Sequence, residues 1–235
     1  EPPPPPQLSA PRAARRGRGR PTPSCAPRSR RGAEEERYRA KQRAYTSALK
    51  RAIRSTWILL RELDQISRPV HKEWRLNERH YGALTGLSMA ATARTHGAAV
   101  VQRWRRSRDV RPPPAGPEHA WCAARERKYA SVSAELLPET ESLADVHARL
   151  EPLWRARIRP QLREGRTVLV VAHRNSIRSL AQLVDGLDDA ELHEVEVPNA
   201  TPLVYRFDDS RQMRPKRGSW SCAPLSGEFV APAGV

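Results

Sequence analysis

The residue best placed to do chemistry is His173, which ends a continuous apolar, β-branched run at residues 167–172 and precedes Arg174, Asn175 and a helical pattern. In open α/β sheets, ligands lie just beyond strand carboxyl ends, where the next helix offers unpaired N–H groups to an anion. His173 is therefore placed like a phosphate-facing residue, and the competing reading is a core histidine with a structural role alone. A second constellation is W-R-L-N-E-R-H-Y-G at residues 74–82, which sets Glu78, Arg79, His80 and Tyr81 side by side on a turn. A carboxylate there is a candidate general acid or base; the bland alternative is a solvated loop with a surface ion pair. A third set is basic, with Arg51 on one helical stretch and Arg105 and Arg106 at the end of another. Converging planar guanidinium groups match the oxygens of a phosphate ester, whereas each alone is a solvated charge.

These side chains need elements to carry them. From Glu34 the pattern turns helical, and Leu49, Ile53, Trp57 and Leu60 recur at spacings of four, four and three, as one buried helix face requires. Pro69 stops that stretch, and residues 70–76 read as a short extended segment leading into the Glu78 turn. Residues 86–106 read as a helix interrupted at Gly97, with Leu87, Ala90, Ala91, Ala93, Val100, Val101 and Trp104 on its apolar side. After a loop opened by the prolines at 112–114, Ser142 begins a helix carrying Leu143, Val146, Leu150, Leu153 and Trp154. Residues 167–172 then predict a strand buried on both faces, residues 176–184 a helix, and residues 203–207 a last strand. Helix, strand and helix in succession argue for an α/β fold with a mostly parallel sheet covered by helices.

Composition bounds the rest. The 235 residues suffice for one medium domain, and the low apolar share, 38%, is concentrated away from the two ends. Residues 1–40 hold a proline run and Arg-Gly repeats that cannot bury enough surface to order, so they read as a disordered extension. The domain is expected at 41–208, with a tail at 209–235. The net charge of +16, mostly arginine, favours anionic partners. Phosphate esters are the leading class; nucleic acid bound through residues 12–31 is a weaker alternative, because no reader motif accompanies the arginines. Cys25, Cys122 and Cys222 are far apart and odd in number, which fits neither a disulfide framework nor a zinc site. No apolar run reaches the ~18 residues that span a bilayer, so a cytoplasmic address is expected, with no membrane and no metal.

The segments T-S-A-L-K-R-A-I-R at 46–54, W-R-L-N-E-R-H-Y-G-A-L-T-G-L at 74–87, W-R-R-S at 104–107 and V-V-A-H-R-N-S-I-R at 170–178 resemble those of the 2,3-bisphosphoglycerate-dependent phosphoglycerate mutases of the histidine phosphatase superfamily. The resemblance implies the three-layer fold of that family and, as activity, interconversion of 2-phosphoglycerate and 3-phosphoglycerate in glycolysis through a phosphohistidine primed by 2,3-bisphosphoglycerate. It implies that Arg51 binds phosphate, that Glu78 donates and accepts the proton, and that Arg79, His80 and Tyr81 line the substrate site. Arg105 and Arg106 would hold a carboxylate or phosphate, and His173 would steady the phosphoryl group in flight, with Arg174 and Asn175 close by.

This sequence also departs from that family. The family opens with a strand ending in R-H-G-E, whose histidine carries the phosphate, and here the first histidine is His71. Arg174 stands where the family has glycine, and Met89 where it has lysine. The expectation is therefore a mutase-like domain lacking its N-terminal central strand, with turnover absent or strongly impaired. Two roles remain open beside it: a non-catalytic binder of phosphoglycerates, or a homodimer or heterodimer partner of an intact mutase.

Overall fold

Q-R-A-Y-T at 42–46 begins with polar side chains, and only Ala44, Tyr45 and Thr46 are buried. In the computed structural model, which describes residues 42–208, 215–217 and 223–230, this segment is nevertheless the central strand, β1 (Gln42–Thr46), of a three-stranded parallel sheet. It pairs on one flank with β2 (Val70–Lys72), Ala44 opposite Val70, and on the other with β3 (Thr167–Val171), Thr46 opposite Val171. The helical reading that began at Glu34 is thereby corrected over these residues, which precede the T-S-A-L-K-R-A-I-R segment; no strand ending in R-H-G-E is among the described residues. Pairing on both flanks satisfies the backbone of a segment whose own side chains advertise little strand preference.

Helices follow the strands in alternation: α1 (Lys50–Glu62), α2 (Met89–His96), α3 (Ala98–Arg106), α4 (Leu143–Leu153), α5 (Arg159–Arg163), α6 (Arg174–Asp185) and α7 (Asp189–Glu194). The main core joins Tyr45 of β1 and Val168 and Val170 of β3 to Val146 and Leu150 of α4, and Leu180 and Leu183 of α6 pack against it. The start of α4 is as its sequence predicts: Ser142 accepts from the Asp145 N–H and the Asp145 carboxylate accepts from the Ser142 N–H, a reciprocal cap.

Three expectations are corrected. The buried row of α1 is Ala52, Thr56 and Leu60, not the stripe through Ile53 and Trp57; Trp57 is 41% exposed. Ala52, Thr56 and Leu60 form one i, i+4 row, and the two small members let the helix lie close, which a count of large apolar residues does not register. Residues 86–106 form two helices that meet at Gly97, whose φ of +84° breaks the ladder; Leu87 and Val100 are exposed and the α2–α3 pair buries Thr92 and Val101. β3 is half-buried rather than enclosed on both faces, because it is the edge of the sheet among the described residues.

The last strand is shorter than 203–207: β4 (Leu203–Val204) pairs antiparallel with β5 (Glu228–Phe229). Leu225 is buried with Ala181, Val195 and Val197. Part of the stretch read as a tail thus packs on the domain, and two-residue strands leave no period to detect. The extension at 1–40, Cys25 and Cys222 lie outside the described residues. Among the described residues no helix is long and apolar enough to cross a membrane, and no three His, Cys, Asp or Glu side chains converge as metal ligands.

Candidate functional site

β1 and β3 run parallel and in register, so the residues after them emerge side by side at the carboxyl end of the sheet. Ser47 follows β1 and His173 follows β3 as the cap of α6. Ser47 Oγ and His173 Nε2 lie 2.7 Å apart, both residues buried. On the opposite edge of the ring, Arg51 Nε donates to His173 Nδ1 at 3.2 Å. Burial first, then the charges of Arg51 and Arg149, lower the His173 pKa from 6.5 to about 4, so the imidazole is neutral near pH 7. A guanidinium has no acceptor, so Nδ1 must be the unprotonated nitrogen and Nε2 must carry the hydrogen. Nε2–H then donates to Ser47 Oγ, which also accepts from the Leu49 N–H at 3.2 Å. His173 therefore cannot take the Ser47 proton in this arrangement. The hydroxyl, its own hydrogen and the Arg51 guanidinium form a donor set suited to phosphate oxygens.

The W-R-L-N-E-R-H-Y-G segment lies over the end of β1. Glu73 N–H donates to Thr46 O at 2.8 Å, and Asn77 Oδ1 accepts from the Ala48 N–H at 3.0 Å. Trp74 and Leu76 are buried and anchor the segment from below. Glu78 Oε1 accepts from the Arg79 N–H at 2.8 Å and from Asn175 Nδ2 at 3.1 Å; Asn175 Nδ2 also donates to Tyr81 Oη at 3.1 Å. Asn175, one residue into α6 beyond Arg174, thus ties the Glu78 turn to the His173 end of the sheet.

Two residues that sequence reading passed over hold that turn. Arg149 of α4 and Glu141 form an ion pair at 2.6 Å, their side chains 7% and 2% exposed. Arg149 also donates to the carbonyls of Arg75 and Asn77, the latter at 2.8 Å, while Glu141 Oε2 accepts from the His80 N–H at 2.9 Å. A buried pair whose spare donors and acceptors are all used in this way is a clamp on local backbone.

The expected site residues divide. Arg51, Glu78, Tyr81, His173 and Asn175 are brought together. Arg105 lies over the Tyr81 ring at 5.1 Å, and Arg106 and Arg174 are exposed. Arg79 is corrected to a structural role. It is 3% exposed, and its guanidinium donates to the carbonyls of Glu141 at 2.7 Å, Trp104 at 2.6 Å and Val110 at 3.2 Å, with Tyr81 stacked at 5.2 Å. Burial disfavours its charged form, a cost met by those carbonyls. The backbone of His80 is tied to Glu141 and burial lowers its pKa, which also makes it part of the scaffold. His71 stacks on Tyr45 at 5.0 Å and His96 meets Trp104 edge-on at 5.2 Å, so neither replaces a missing nucleophile. Ser47 was legible in principle: a short strand, a polar residue and a helix start repeat around it the grammar that singled out His173.

The profile of the Histidine phosphatase superfamily (branch 1) matches residues 13–134 and 116–215 of this chain. Among solved structures, a mycobacterial glucosyl-3-phosphoglycerate phosphatase with inorganic phosphate is 22% identical, with a TM-score of 0.54 and 78% of each chain covered. A structure described as mycobacterial hydrolase 1 is 22% identical at a TM-score of 0.52, covering 78% of this chain and 79% of its own. A phosphoglycerate mutase from Bacillus anthracis str. Sterne is 18% identical at a TM-score of 0.43, covering 68% of this chain and 64% of its own. The first two likenesses show a shared α/β fold, a parallel sheet flanked by helices.

Proposed function

The chain belongs to branch 1 of the histidine phosphatase superfamily, and from that premise we propose a phosphoglycerate mutase-like protein that holds phosphoglycerates, or a related phosphate ester, with the mutase turnover absent or strongly impaired. The observation that carries this reading is the surroundings of His173, held between Ser47 and Arg51. In the family that the motifs resemble, the covalent phosphate carrier is an imidazole at the end of the first strand, facing a second histidine. Among the described residues no second histidine faces His173; the residue against its Nε2, at 2.7 Å, is Ser47 of the T-S-A-L-K-R-A-I-R segment. Its oxygen accepts from two N–H groups and its neighbouring imidazole nitrogen already carries a hydrogen, so the hydroxyl has no base to activate it. 2,3-bisphosphoglycerate then acts as a ligand rather than a primer. The arginines suit its anionic groups, and among the described residues no second imidazole stands beside His173 to receive its phosphoryl group.

Calorimetry with 3-phosphoglycerate tests the binding half. Heat at millimolar ligand that weakens in Arg51→Ala supports it, and the absence of heat rejects it. A coupled mutase assay with added 2,3-bisphosphoglycerate tests the other half. Robust turnover that disappears in His173→Ala overturns the inactive reading. An acid-labile phosphohistidine on the chain after exposure to 2,3-bisphosphoglycerate overturns it as well.

A second reading, a partner in a mutase dimer, has one observation behind it. Trp57, Ile58 and Ile66 are exposed along a groove of about 520 Å³ beside α1. Sedimentation of the chain alone and mixed with an intact mutase decides it; a monomer in both samples removes it.

A further inference from the structure

We infer that a second cavity, separate from the phosphate-ester site, binds a small organic acid with an apolar body, of the aryl carboxylate or aryl sulfonate class. The inference goes beyond the phosphate-ester reading and does not depend on it. The cavity, of about 490 Å³, opens between the approach to α1, the end of β2 and the turn at residues 128–136, a size that holds small molecules. Consecutive residues divide between the two sites. Ser47 meets His173 at 2.7 Å, while Ala48, next in the chain, lines the cavity. β2 divides in the same way, because side chains alternate along a strand: His71 stacks on Tyr45 at 5.0 Å, and Lys72 lines the cavity. Asn77, 1% exposed, ties the Ala48 side to the 128–136 side, its Oδ1 accepting from the Ala48 N–H at 3.0 Å and its Nδ2 donating to Tyr129 Oη at 2.7 Å. Neither Ser47, Arg51 nor His173 lines the cavity.

The lining has two chemistries. Ala48, Ile53, Trp74, Val132 and Leu136 supply apolar surface, and Leu136 is 53% exposed. Water over such surface is displaced with gain by an apolar body, which a phosphoglycerate lacks. The polar part is cationic. Lys72, Arg75 and Lys128 line the cavity against the single carboxylate of Glu73, which accepts from Arg75 Nη1 at 3.1 Å. Lys128 is paired with Glu126 and stands 4.9 Å over the Tyr129 ring. Lys72 has no ion pair among the described residues. An acid group from outside therefore meets an unpaired ammonium, and the Ser131 and Ser133 hydroxyls, which also line the cavity, add donors to it. The Arg75 guanidinium lies over the Trp74 ring at 5.0 Å, so charge and apolar floor adjoin. A neutral hydrocarbon leaves Lys72 unmatched, and an inorganic anion leaves the floor unmatched; an organic acid answers both.

Fluorescence titration of the full chain with anilinonaphthalene sulfonate tests this, beside phenylnaphthylamine, which has the same rings and no charge. The variants are Lys72→Gln, Ser133→Glu, Trp57→Ser and Arg51→Ala. Lys72 and Ser133 are exposed and Ser133 makes no capping bond, so neither of their replacements threatens folding. The parent chain is expected to bind the sulfonate about fivefold or more tightly than the amine, and Lys72→Gln and Ser133→Glu each to lose about threefold on the sulfonate with little change on the amine. Trp57→Ser, in the groove beside α1, and Arg51→Ala, in the phosphate-ester site, are expected to keep the parent's affinity for the sulfonate within about twofold. Sulfonate affinity unchanged in both Lys72→Gln and Ser133→Glu overturns the site. Its loss in Trp57→Ser or Arg51→Ala overturns it too, because the probe then sits in the α1 groove or on the phosphate-ester site. Equal affinity for the two probes, or no fluorescence gain with the sulfonate at millimolar concentration, also overturns it.

Discussion

The state of His173 should be visible as a pH dependence of stability. Its pKa is lowered from 6.5 to about 4 in the folded chain, mainly by burial. Between those values the unfolded chain binds a proton that the folded chain refuses, so stability falls as pH falls. The loss begins near the unfolded value of 6.5 and saturates below the folded value of about 4. Across the whole gap it amounts to about 3 kcal/mol, and between pH 7 and pH 5 to about 2 kcal/mol. Urea unfolding at pH 7, 6 and 5 measures it when the parent chain is compared with His173→Gln, which cannot titrate there. His80 shifts in the same direction through burial but is present in both proteins and cancels in the difference. Asp145, held down to about 2 chiefly by Arg111, loses its contribution only as pH drops below the ordinary carboxylate value of 3.8, under this window. The variant is expected to lack about 2 kcal/mol of the parent's acid loss. Equal slopes in the two proteins would refute the claim that His173 is buried and neutral, and with it the assignment of the hydrogen to Nε2.

The remaining expectations concern stability. Glu141→Ala strands the Arg149 charge in the interior and should cost about 3–5 kcal/mol, read by denaturant midpoint; a loss under 1 kcal/mol would contradict the clamp on the Glu78 turn. Leu150→Ala, at a fully buried core position, should cost about 2–5 kcal/mol, whereas Trp57→Ser should shift stability by only about 0.5 kcal/mol. A reversal of that order would restore the stripe through Trp57. Gly82→Ala should be severely destabilising, because φ is +57° and a Cβ would stand 2.0 Å from Pro113 O; a melting temperature equal to the parent's would show that the turn is not held as described.

What the sequence determined by itself was whatever local chemistry writes into short windows. The S-x-x-D cap opens α4, the apolar run at 167–172 ends at His173, and the break at Gly97 follows from a residue that tolerates positive φ. Motif order pointed to the histidine phosphatase superfamily, and the resemblance nominated Arg51, Glu78 and His173 as candidates for one site. Tertiary structure alone decided β1, since Q-R-A-Y-T becomes a strand by pairing on both sides rather than by preference. It decided that Arg79 turns inward onto backbone carbonyls and that Arg178 donates to the Leu192 carbonyl. It also decided that Glu141 and Arg149 serve the Glu78 turn from 63 and 71 residues away along the chain. Propensity and spacing act over a few residues, whereas burial, pairing and charge compensation depend on which distant segments meet. For that reason an arginine in the sequence names a charge, and only the fold says whether that charge is engaged by backbone, by a carboxylate or by a ligand.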